Sequence, residues 1–118
     1  MTEDAIDITL RSIRSSRELQ YENYQVVSAV QALWGAITPE MIAISLRCKG
    51  PAVHLYFYLE AESEAAREEI EDVVSELGSL QFTDVPIHTH IDVVGTEVRH
   101  EQIDGRLIYR RHPPSTTG

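Results

Sequence analysis

The spacing of apolar positions changes period several times along the chain, and each change marks the edge of a predicted element. Between Asp4 and Arg14 two patterns coincide: Ile6, Leu10 and Ile13 fit one helical face, while Ile6, Ile8 and Leu10 alternate as in a strand. We read this stretch as helix. Ser15 followed by Glu18 has the form of a capping box, in which each side chain satisfies an orphan backbone N–H, and predicts a helix start there. Beyond it Tyr24, Val27, Val30, Leu33, Trp34 and Ile37 recur at threes and fours, giving one apolar stripe over about five turns. Gly35 and then Thr38-Pro39 predict its end, because proline restrains the preceding residue from the helical region.

The period then drops to two. Ile42, Ile44, Leu46 and Cys48 alternate with Ala43, Ser45, Arg47 and Lys49, predicting a strand with one buried face, and Gly50-Pro51 supplies a turn. The return strand sets Val53, Leu55, Phe57 and Leu59 against His54, Tyr56, Tyr58 and Glu60. Helical spacing resumes with Ala66, Ile70, Val73, Val74 and Leu77, preceded by Ser63 as N-cap and followed by Gly78 as the left-handed closing residue. A third strand runs from about Pro86 to Val94, with Ile87, Thr89, Ile91 and Val93 on one face and His88, His90, Asp92 and Val94 on the other. Gly95 to Gln102 reads as a loop, and a short basic strand covers about Arg106 to Arg111. The order α-β-β-α-β-β predicts an α+β two-layer sandwich, with helices on one face of a four-stranded, mainly antiparallel sheet and the other face open. One domain is expected over 1–112, followed by a disordered tail at 113–118.

Charge changes this picture most between Glu60 and Glu76. Eight acids face a single base, Arg67, in that segment, a local net charge of −7 out of −9 for all 118 residues. Acids at i,i+4 spacing without counter-charges repel, so a helix of this kind suits a basic partner, with Glu64, Glu68, Glu71, Asp72 and Glu76 as the docking residues. Arg99, Arg106, Arg110 and Arg111 are the internal alternatives for neutralising it. A pI near 4.9 argues against binding to nucleic acid or anionic lipid. The lone Cys48 excludes an internal disulfide, the N-terminus lacks the basic start and apolar run of a secretory signal, and no stretch approaches the ~20 apolar residues of a membrane span. A cytoplasmic location is expected.

Two further clusters carry candidate chemistry. Tyr56 and Tyr58 offer rigid contact area with a polar tip, as protein interfaces often do. His88, His90 and Asp92 share one face of a strand, and with His54 from its neighbour they form the alternative, a metal- or small-ligand-binding set. A homo-oligomer pairing its open sheet faces is a third reading. Nucleophile elbows, phosphate loops and dinucleotide fingerprints are absent from the sequence, and Cys48 falls on the predicted buried face, so the chain is expected to be non-catalytic and to need no cofactor.

The run Ala32-Leu33-Trp34-Gly35-Ala36-Ile37-Thr38-Pro39-Glu40-Met41-Ile42-Ala43, followed by a hairpin ending Phe57-Tyr58-Leu59-Glu60 and an acidic helix, resembles small bacterial immunity proteins of contact-dependent growth inhibition and related polymorphic-toxin systems. The resemblance covers roughly 25–80. It implies a cytosolic protein that binds and blocks one cognate toxin domain, commonly a basic nuclease, without doing chemistry itself.

Overall fold

Burial of Val53, Leu55, Phe57 and Leu59 on one side of a single strand organises the sheet, because every other layer packs on or beside that row. In a computed structural model of the protein, which describes the backbone over 3–112 and side chains from Ser16 to His112, the elements are α1 (Glu3–Leu33), β1 (Met41–Lys49), β2 (Ala52–Leu59), α2 (Glu64–Ser79), β3 (Ile87–Val93), a 3-10 turn at His100–Gln102, and β4 (Arg106–Arg110). The tail expected at 113–118 lies outside the described residues. The sheet order is β3-β2-β1-β4. β1 pairs antiparallel with both β2 and β4, whereas β2 and β3 are parallel, so α2 forms the crossover that a parallel pair requires. This is the expected α+β order, on a mixed sheet.

Both helices pack on the same sheet face. Ala29, Ala32 and Leu33 of α1 join Ala66, Ile70, Val73 and Leu77 of α2 over Ile44, Leu46, Leu55 and Phe57. Tyr24 Oη donates to the Leu80 carbonyl at 2.8 Å, and Gln25 and Gln81 exchange reciprocal amide hydrogen bonds of 2.8 and 2.9 Å. These bonds place Tyr24 and Gln25 beside the end of α2; since α1 ends and α2 begins at the Met41–Leu59 end of the β1–β2 pair, the two helices run antiparallel. Gly35, just past the end of α1, takes φ +80°, a left-handed backbone conformation that residues with a side chain rarely adopt.

Several local expectations are corrected. Helix α1 is continuous through Ser15, so the predicted capping box does not start it. Among the described side chains of α1, Gln25, Ser28, Ala29, Ala32 and Leu33 are buried; of the predicted stripe only Leu33 joins the core, while Tyr24, Val27 and Val30, and Trp34 and Ile37 just beyond the helix, are exposed. Ile42 leaves the core face because the register of β1 shifts between Met41 and Ala43, and such a bulge moves the residues beyond it to the opposite side. Gly78 is helical, and α2 ends instead through Leu80 at φ −86°.

The outer sheet face is only partly open. Residues 94–107 cross its β1 end, where Val98 is buried and Val94, Ile103 and Leu107 pack with Ile42, Ala43 and Tyr58 into a second, smaller core. Ser45 Oγ donates to the Asp104 carbonyl, and the Asp104 N–H donates to Tyr58 Oη at 2.7 Å. Gly105 closes this crossing at φ +73°, so tightly that a Cβ there would lie 2.5 Å from the Leu46 carbonyl oxygen and 2.9 Å from Arg47 Cβ. A backbone oxygen cannot swing aside as a side chain can. Gly105→Ala is therefore expected to destabilise the fold by about 2 kcal/mol or more in urea melts; an unchanged midpoint would show that the crossing segment is loosely held.

Candidate functional site

On α2, the Ser63 hydroxyl accepts the Ala66 N–H at 3.1 Å and so fixes the first turn. With Ala66, Ile70, Val73 and Leu77 committed to the core, the helical period turns Glu64, Glu68, Glu71, Asp72 and Glu76 to solvent. Arg67, the only base of the helix, reaches back to Glu62 and holds that carboxylate in a two-point contact, the second bond being 3.0 Å. The same contact draws the Glu62 pKa below its ordinary value and raises that of Arg67, through their hydrogen bond first and their opposite charges second.

Three of the four arginines offered by the sequence as internal counter-charges are engaged elsewhere, and Arg99 is exposed and pairs with none of the carboxylates of α2. Arg106 lies near Glu22 and bonds Asn23, Arg110 bonds the Val98 carbonyl at 3.0 Å, and Arg111 bonds the Pro39 carbonyl and Glu60 at 2.8 and 3.0 Å. Among the described residues, none of the five outward carboxylates of α2 has an ion-pair or hydrogen-bond partner. The result is a convex ridge of one sign on a rigid helix.

The second cluster lies on the uncovered part of the sheet. The parallel register aligns His54 with His88 and Tyr56 with His90. His54 Nδ1 and His90 Nε2 are 2.9 Å apart, with ring centroids 5.2 Å apart and planes inclined by 18°. The centroid separation exceeds the N···N distance by little more than two ring radii, so these rings meet edge to edge in nearly one plane, one donating its N–H to the other's lone pair. His88 lies 4.8 Å from the His54 centroid, and Tyr56 lies 4.6 Å from that of His90.

This geometry corrects two sequence expectations. Nitrogens directed at each other do not converge on a common ion, and among the described residues no three His, Cys, Asp or Glu side chains are placed to hold a metal, so His54, His88, His90 and Asp92 are not assembled as a ligand set. Tyr58, only 2% exposed and bonded to Asp104, lies beneath the crossing segment and offers no free surface, whereas Tyr56 remains half-exposed. Cys48 is half-buried, and burial, with Glu22 nearby, pushes its thiol up to about 11, far from a thiolate nucleophile.

Sequence reasoning missed the outward face of α1. Leu19, Val27 and Val30 share one side of the helix and Trp34 follows directly beyond its end, and they are 54%, 66%, 45% and 88% exposed. The signal was the apolar periodicity itself; its direction depended on packing that periodicity does not encode.

His54 carries a pH signature. Its pKa is lowered from 6.5, by desolvation first and then by His88, Lys49, His90 and Arg47. A histidine that resists protonation when folded binds fewer protons than the unfolded chain, so its contribution is complete above 6.5 and is lost as pH falls through the folded pKa. Ring-nitrogen NMR is expected to show His54 titrating below 6.5, with His54→Asn flattening the acid limb of thermal stability; a titration above 6.5 would contradict the desolvation and the crowding of positive groups assigned to it.

Among curated proteins no match to the chain is found. The profile of the MafI2 immunity protein family does match, over residues 22–113. That span takes in the packed part of α1, both strand pairs, the acidic helix and the crossing segment. Since it extends over more than half of the 118 residues, the chain belongs to the MafI2 immunity protein family.

Proposed function

We propose that this protein neutralises a cognate toxin domain by binding it, without catalysing a reaction, and that the outward carboxylates of α2 supply the electrostatic half of the contact. The family supports the immunity role. The observation that carries the docking assignment is the unpaired state of Glu64, Glu68, Glu71, Asp72 and Glu76 beside a lone arginine already bound to Glu62. Holding like charges together at i,i+4 costs stability, and a positively charged partner offsets that cost while steering encounter.

The corresponding toxin surface is basic, of the kind a nuclease uses to hold phosphates, and carboxylates spaced along a helix would occupy it in place of substrate. Such an inhibitor works in the cytoplasm of the cell that makes it, needs no cofactor and does not itself bind nucleic acid. Among the described residues no helix is long and apolar enough to cross a membrane. Tyr56 and the imidazoles around it are left as a secondary contact surface.

Charge reversal tests the reading. Glu68, Glu71 and Asp72 are exposed, so changing all three to Lys should leave the fold intact. In stopped-flow mixing with the cognate toxin domain, the triple variant is expected to associate at least ~10-fold more slowly at low salt, with the difference shrinking as salt rises. The same variant should protect coexpressing cells poorly. Unchanged association and full protection would remove α2 from the mechanism.

A further inference from the structure

The carboxylate ridge of α2 does not stand alone on the helical layer. Helix α1 runs antiparallel beside it on the same sheet face, and its solvent side carries Val27 and Val30, with Trp34 in the turn directly after them. At its end, Val30, Leu33, Trp34 and Ile37 meet Ile108 and Tyr109 of β4 around a shallow groove of about 240 Å³. Trp34 is the only tryptophan of the chain and is 88% exposed. A large aromatic left in water beside exposed valines forfeits burial that packing it against the sheet would have gained.

From this juxtaposition we infer that the α1 ridge of Val27, Val30 and Trp34, with the groove at its end, is the apolar centre of the toxin-binding surface, and that the acidic α2 is its charged flank. The inference rests on the immunity reading above and deepens it. The occupant is a basic protein surface with an apolar knob, and charge selects it over a second copy of this chain. Two copies meeting through their helical layers would bring two unpaired carboxylate ridges together, whereas a cationic partner matches the ridge and covers the valines and tryptophan in one contact. Interfaces of this kind concentrate their affinity in a few buried aromatic anchors and their encounter rate in the charged rim.

The single tryptophan supplies the test. Replacing it by 5-fluorotryptophan gives the chain one fluorine resonance, to be followed while the unlabelled cognate toxin domain is added. Movement of that signal at saturation, loss of its solvent-isotope sensitivity, and at least ~10-fold faster dissociation for Trp34→Ala are expected. Circular dichroism should confirm that Trp34→Ala and Val27→Asp, both at exposed sites, stay folded. Tight binding with an unmoved resonance and unchanged dissociation for both variants would overturn this assignment and leave the immunity reading standing. Absence of any complex with the unmodified chain would sink the immunity reading and this inference with it. A resonance that moves with the chain's own concentration, with a dimer in light scattering and no change on adding toxin, would assign the face to a second copy and overturn the proposal.

Discussion

The rest of the molecule follows from which side of α1 lies against the sheet. That side is built from Ser28, Ala29, Ala32 and Leu33, with Gln25 fully buried among them. Small side chains let the helix approach α2 and β1 closely, and the buried amide is satisfied because Gln81 returns both of its bonds. An unpaired amide in that position would cost about 1–3 kcal/mol, so the pair fixes the helix rotation as well as tolerating it. Turning the helix to bury Trp34 would break the pair and force an indole into space that alanines now fill. The stripe of Val27, Val30 and Trp34 is exposed because the opposite side is better matched to the sheet.

Two chemically different faces result. The helical layer presents carboxylates on α2 and apolar side chains on α1, one suited to long-range attraction and the other to short-range burial. On the far side of the sheet, imidazoles and Tyr56 form a face whose groups bond one another. A contact surface is more economically built from groups that lack partners than from groups that must first give them up. This is why the helical layer, rather than the histidine cluster, carries the binding role in our account.

Much of the architecture was legible in the sequence. The period-two run of β2 up to Phe57 and the spacing of Ala66, Ile70, Val73 and Leu77 reported burial faithfully, because there the elements are covered on one side only. The same rule failed for α1, where apolar residues and small residues occupy opposite sides and tertiary fit decided between them. Ile42 could not be placed without the bulge, which exists only in the pairing of β1 with β2. Tyr56 and Tyr58 look equivalent by alternation, and only the crossing segment, clamped at Asp104 and Gly105, separates a half-exposed ring from a buried one. The meeting of His54 with His90 required the parallel register of β2 and β3, which neither strand shows alone.

Side-chain footprinting of the free chain and of its toxin complex tests the central claim most directly, with carboxyl labelling for the acids, oxidation for tryptophan and acylation for histidine. The account predicts that Glu68, Glu71, Asp72 and Trp34 lose reactivity in the complex while His88 and His90 retain theirs. Protection of the histidines and Tyr56, with the α2 acids and Trp34 as reactive as in the free chain, would contradict it and move the binding surface to the opposite side of the sheet.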